Sequence, residues 1–198
     1  KHHPMTWTEA YEEALDRQEL FQMLFDFLSY ETERLKSASF KPGYVEYAFG
    51  DPGNHPTSAL EIESTGKPEG KKIKLRGRVD RIDIDEAKEY AVVIDYKRAY
   101  RFKASNLELG TALQLPLYLL AAQKQLGLKP MGAEIYSIRD HKKSGFYCAG
   151  PAGGFGKEFS TRSQLSEQVF QRVLDRAVAF VRKFTKEIGS SEIPVQPR

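Results

Sequence analysis

The stretch "GRVDRIDIDEAKEYAVVIDYKRAY", residues 77–100, decides how the chain folds. Its first half alternates in places, and its second holds a nearly continuous apolar run, "YAVVI", beyond the polar "DEAKE". That pattern predicts two strands, over 72–84 and 89–97, the second covered on both sides. Two aspartates, Asp80 and Asp95, stand inside these runs. An isolated buried carboxylate is costly, so each needs a cation, a hydrogen-bond network or a metal. Period-two alternation puts Val93, Asp95 and Lys97 on one face of their strand, with Val92, Ile94 and Tyr96 on the other. Asp80 shares its face with Ile82 and Ile84. If the strands are antiparallel neighbours joined at "DEAKE", the two aspartates approach at the ends away from that turn. Such carboxylates repel, and one holds a proton unless a cation lies between them. Oxygen ligands of this kind suit Mg²⁺ or Mn²⁺. A lysine alongside can orient an attacking water or offset charge growing on a phosphate. Strand chemistry alone leaves a plainer alternative open, in which these residues form an ion-pair cluster and Asp80 bridges to Arg78 or Arg81.

Working outward, residues 8–37 form one helical window, with Thr8 as N-cap and Leu20, Met23, Leu24, Phe27 and Leu28 as its apolar face. The acidic residues of this helix read as a solvated face. "FKPGY" stops it, and strands are expected over 44–49 and 59–63, separated by the turn-rich "GDPGNHP". After the central pair, a leucine-rich helix is expected over 107–126, and Pro116 predicts a kink or a helix start near it. Gln114 and Tyr118 stand four apart and share one face of that helix, so both need polar partners. "AEIYSIRD" reads as a strand and "SGFYCAG" as its hairpin partner, "PAGGFG" as a connector, and 164–187 as a final amphipathic helix. The order implies an α/β or α+β sandwich around a mixed sheet rather than a regularly alternating fold.

With 198 residues, 40% of them hydrophobic, the chain is long enough to bury one substantial core. A net charge of +3 permits a polyanionic partner without requiring one. No apolar window is long enough to span a bilayer. One cysteine, Cys148, excludes an internal disulfide framework, suits a small buried side chain, and points to a cytoplasmic compartment. Both ends, "KHHPM" and "EIPVQPR", read as cut, so a fragment of a larger protein is expected.

"GRVDRID" (77–83), "VIDYKR" (93–98) and "QLPLY" (114–118), in this order and spacing, resemble the PD-(D/E)XK nucleases of the RecB and AddB type. "FKPGYVEYAFG" (40–50) is similar to the strand that precedes the core in AddB-type subunits. The resemblance covers roughly residues 40–136, and it implies a restriction-endonuclease-like mixed sheet flanked by helices. It divides the chain into an N-terminal helical segment (1–39), a catalytic core (40–140) and a connector with C-terminal helix (141–198). It further implies Mg²⁺-dependent (or Mn²⁺-dependent) hydrolysis of DNA by a nuclease or exonuclease within a helicase–nuclease of double-strand-break repair and recombination, joined to a partner subunit. Asp80, Asp95 and the main-chain carbonyl of Tyr96 would ligate the metal, and Lys97 would assist the water. Gln114 and Tyr118 would line the DNA channel. Arg98, Arg101 and Lys103, in "KRAYRFK", suit phosphate contacts with stacking on single-stranded DNA, whereas Arg81 and Asp83 suit fixing the strand.

The sequence departs from the family in two places. The usual upstream histidine or glutamate has no convincing match: His2 and His3 sit at the extreme N-terminus, and Glu46 lies in the strand that resembles a scaffold element. AddB-type subunits hold an iron–sulfur cluster through cysteines flanking the nuclease core; three of these are expected shortly beyond Arg198 in the full-length parent, and Cys148 does not match their place. Weak or absent activity of this stretch in isolation follows. The competing expectation is a DNA-binding or scaffolding module that does not cut.

Overall fold

The computed structural model describes residues 6–50, 58–65, 71–149 and 163–190. Most of "GDPGNHP", the start of "KPEGKKIK", "PAGGFG", and His2 and His3 lie outside them.

Helix α1 (Trp7–Lys36) opens the chain. Its N-cap is Thr6 rather than Thr8: the Thr6 side chain accepts from the Glu9 amide while Glu9 reaches back, which satisfies two otherwise orphaned donors. Strands β1 (Phe40–Phe49), β4 (Gly77–Asp85), β5 (Tyr90–Lys97), β6 (Lys129–Ser137), β7 (Lys143–Cys148) and β8 (Gln164–Leu165) form one six-stranded sheet in the order β1-β4-β5-β6-β7-β8. A separate hairpin pairs β2 (Leu60–Glu63) with β3 (Lys72–Leu75). The single strand expected over 72–84 is therefore two, broken at Arg76, because its first part pairs with β2 and its second with β1 and β5.

β4 and β5 are the antiparallel neighbours the central stretch predicts. β5 and β6 are parallel, and the connection between them carries α2 (Ala104–Glu108) and α3 (Gln114–Leu126). Pro116 falls in the first turn of α3, where its missing amide is not needed, so the helix starts there and does not kink. Gly127, with a φ of 69°, caps the other end in the left-handed conformation. The last helix, α4, runs Glu167–Ser190, and the two residues before Ser166 form β8 instead of helix. The sheet continues past residue 140 through β7, held close to β6 at Gly145, where a Cβ would stand 1.9 Å from the Ala133 carbonyl oxygen.

The alternation splits the interior into two layers. Ile82, Ala91 and Val93 pack with Leu115, Leu119 and Ala122 of α3 and Phe170 and Leu174 of α4. Val92, Ile94, Met131 and Tyr136 pack with Phe27 of α1. The two faces are the α3 face and the α1 face.

The α1 face departs from expectation. Of α1's side chains only Phe27 and Glu31 are buried, and Leu20, Leu24 and Leu28 remain exposed. A helix of 30 residues is about 45 Å long, whereas eight-residue β5 spans about 26 Å. The helix outruns the sheet beneath it. Cys148 is half-buried and packs at the edge of both layers. No helix among the described residues is long and apolar enough to cross a membrane.

Candidate active site

The backbone ladder between β4 and β5 runs from Ile84↔Ala91 to Arg81↔Ile94. Past that pair a side chain takes over: the Tyr96 amide donates to Asp80 Oδ2 at 2.8 Å. The strands part where the two aspartates face the α3 layer. Asp95 is only 1% exposed, and Gln114, the first residue of α3, donates to its Oδ1 at 2.7 Å. The same amide nitrogen donates to the Tyr118 hydroxyl at 2.9 Å, one helical turn on. Phe49 at the end of β1 packs edge-on against the Tyr118 ring.

Lys97 Nζ stands 2.6 Å from Asp95 Oδ2. Lys97 is the one cation on that oxygen, and among the described residues no other donor reaches the buried Oδ2. Burial pushes the Asp95 carboxyl above its usual range; Lys97 and Gln114 draw it back, and the nearby Asp80 charge adds to the rise. Burial likewise raises the Tyr118 hydroxyl, with Asp95 and Asp80 adding to the effect. Asp80, Asp95, Lys97, Gln114 and Tyr118 therefore act on one another in one place.

The three basic residues stand apart from this cluster. Arg98, Arg101 and Lys103 are all exposed on the segment leaving β5. Arg98 Nη2 lies 3.7 Å from Glu19 Oε1, both side chains well exposed. Arg101 acts on Asp140, and Lys103 occupies the N-cap position of α2. The Phe102 amide donates to Ser144 Oγ, which ties this segment to β7.

The alternative partners for Asp80 are engaged elsewhere. Arg78 lies 3.5 Å from Glu46, which is exposed and held at a φ of 48°. Arg81 turns to the α1 face, where it clasps Asp83 with Nε and Nη2. Arg81 Nη1 also donates to Glu31 Oε1 at 2.6 Å. Glu31 is the residue that sequence reading misses. It is 5% exposed, not part of a solvated face, and receives Arg34, Arg81 and the Tyr136 hydroxyl. Burial alone would raise its carboxyl, but hydrogen bonds from Arg34 and Arg81 outweigh burial and hold it down to about 2. The one local signal is Phe27, four residues earlier on the same helical face.

Among the described residues no group of three or more His, Cys, Asp or Glu is arranged to hold a metal. Mg²⁺ does not require one, since it is usually held by one or two carboxylates together with substrate phosphates and waters. Two neighbouring carboxylates, Asp95 and Asp80, the first answered at Oδ2 by Lys97 alone, fit a hard divalent cation on the chemistry of the donor set.

A mixed six-stranded sheet with helices on both faces, carrying this cluster where two central strands part, is a restriction-endonuclease-like fold. The profile of the PD-(D/E)XK nuclease superfamily matches residues 3–198, and the chain belongs to that superfamily. It is 30% identical over 184 residues to a subunit of the ATP-dependent helicase/deoxyribonuclease of Moorella thermoacetica, an overlap of 88% of this chain and 15% of that protein. It is 39% identical over 97 residues to the like-named protein of Clostridium botulinum, covering 48% of this chain and 8% of that protein. Against the like-named protein of Ruminiclostridium cellulolyticum the identity is 40% over 91 residues, 44% of this chain and 8% of that protein. The chain thus spans a small share of the length of these relatives.

Proposed function

We propose that the chain is the nuclease module of a helicase–deoxyribonuclease, hydrolysing DNA phosphodiesters with Mg²⁺, or Mn²⁺, in the processing of double-strand breaks for repair and recombination. The observation that carries this reading is the convergence of the buried Asp95 carboxylate with Asp80, Lys97 and Gln114 in one place, with Lys97 alone answering Asp95 Oδ2. The family and the names of the relatives supply the substrate class, and a helicase partner subunit is part of the same proposal.

Asp80, Asp95 and the Tyr96 main-chain carbonyl would hold the cation. When bound, it neutralises phosphate charge and acidifies a ligated water. Lys97, on the same strand face as Asp95, orients the attacking water and offsets charge growing on the phosphoryl oxygens. Gln114 holds Asp95 by one oxygen and leaves the other facing Lys97. Water adds to phosphorus, the bond to one bridging oxygen breaks, and that oxygen leaves as a hydroxyl after taking up a proton. Tyr118, Arg98, Arg101 and Lys103 then serve binding, the arginines and lysine by contact with backbone phosphates.

Calorimetry with Mn²⁺ tests the site directly. The wild-type chain should bind, and Asp80→Ala should not. Single-stranded DNA offered to a longer polypeptide with both flanks should be cut, and Lys97→Ala combined with Asp95→Ala should abolish cutting. Cutting that survives the double substitution would show that the chemistry lies elsewhere. DNA binding without metal binding or cutting would establish a scaffolding module.

A further inference from the structure

Tyr96 sits between Asp95 and Lys97, yet its side chain points away from both. Its ring lies on the α1 face, edge-on to Phe27 at 5.7 Å and tilted against Tyr136 at 5.8 Å. Its hydroxyl accepts from Arg81 Nη1 at 2.9 Å. Its amide, on the other side of the chain, donates to Asp80. Arg81 is the next residue after Asp80 in β4. These two bonds therefore tie β4 twice to Tyr96, two residues past the last paired residue of β5.

We propose that the Arg81–Tyr96 hydrogen bond is a positioning clamp, which fixes the offset of β4 and β5 where their ladder ends and so sets Asp80 against Asp95 and Lys97. At this level β5 stays paired with β6 and β4 with β1, so the bond fixes the offset between those two halves of the sheet, and a shift of about 1 Å is enough to spoil a catalytic constellation. The clamp is rigid because Arg81 is itself immobilised. It is 4% exposed, gripped through two nitrogens by Asp83 and through a third by Glu31. Glu31 is anchored in turn by Arg34 and the Tyr136 hydroxyl. The charged network on the α1 face thus forms an outer shell behind the site, acting through the sheet rather than around it. Such partners of a metal site shift affinity by about 10-fold to 100-fold without touching the metal. In its consequence for metal binding, the proposal rests on the function proposed above.

Tyr96→Phe removes one hydroxyl and keeps the ring, so packing survives. Tyr136→Phe is the matched control: it deletes a hydroxyl from the same network, the one on Glu31, but breaks no link to β5. Amide hydrogen exchange on the metal-free chain should be about 10-fold faster in Tyr96→Phe at residue 96, whose amide donates to Asp80. Exchange there should be unchanged in Tyr136→Phe, although both variants lose stability. Mn²⁺ affinity, measured by calorimetry, should fall about 10-fold in the first variant only. Unchanged exchange in Tyr96→Phe, or equal acceleration in both variants, would overturn the clamp. Acceleration confined to Tyr96→Phe with undiminished Mn²⁺ affinity would reduce the bond to a structural one. Absence of Mn²⁺ binding in the wild-type chain would instead defeat the proposed function, and the exchange comparison would still decide whether the clamp exists.

Discussion

The two faces of the central sheet treat buried carboxylates in opposite ways. On the α1 face Glu31, Asp83 and Glu134 are each closed off: Asp83 by Arg81, Glu31 by Arg34 and Arg81, and Glu134 by Lys143 and the Tyr147 hydroxyl. On the α3 face Asp95 is just as deeply buried, but its Oδ2 has only a lysine whose side chain is 43% exposed, and Asp80 stands half-exposed beside it. One face uses charge to lock the sheet to a helix. The other keeps charge incompletely answered, with the strain that burial imposes on Asp95 as the cost. Asp80 and Asp83, three positions apart along β4, differ in role because alternation sends them to different layers.

That contrast is broken most severely from the α3 side. Asp95→Asn should lower DNA cleavage by about 1,000-fold while the melting temperature holds or rises, since a neutral amide removes a buried charge. A cleavage assay paired with thermal unfolding checks it, and lost stability with retained cutting would invert the two roles. On the α1 face Arg81→Met should act first on stability, and should also lower metal affinity through the broken bond to Tyr96. It takes from Asp83 its two-nitrogen partner and from Glu31 one of two arginines, leaving Arg34 3.7 Å from Asp83 Oδ2, and denaturant titration should show a loss of about 4 kcal/mol. The pH dependence follows from the same face. Glu31 is held down to about 2 from an ordinary 4.5, so its stabilisation is full above 4.5 and is lost as pH falls through that window. The loss amounts to about 3 kcal/mol, and Glu31→Gln should flatten the acid limb of the stability curve between those values.

How much of this is written locally can be read from particular residues. The site is legible because it depends on short spacings: two residues from Asp95 to Lys97 set a strand face, four from Gln114 to Tyr118 set a helix face, and Pro116 marks a first turn. The class of fold follows from the same stretch, since an apolar run after a polar turn fixes two neighbouring strands. What escapes depends on distant partners. Nothing near Arg76 announces that the strand changes partners there. Glu31 and Arg34, three apart on a helix, have the spacing of an ordinary surface pair. Distant partners, Arg81 fifty positions away and the Tyr136 hydroxyl, make that pair a buried anchor. The apolar spacing of α1 correctly implies a helix and wrongly implies a covered one, because periodicity reports a face and not the length of sheet available to cover it.

The mildest test compares two arginine–glutamate pairs. Arg34 and Glu31 meet at 2.7 Å with little exposure, whereas Arg98 and Glu19 meet at 3.7 Å with side chains 72% and 68% exposed. An exposed pair at that distance contributes about 0–1 kcal/mol, so Arg98→Ala should leave the melting temperature essentially where it was. If Arg98 instead serves a DNA phosphate, its removal lowers the slope of log affinity against log salt for a single strand by about 0.7. Binding titrations at several salt concentrations read that slope directly. A reduced slope with unchanged stability would mark the segment leaving β5 as working surface. An unchanged slope would confine binding to the cluster around Asp95 and leave Arg98 an ordinary solvated charge.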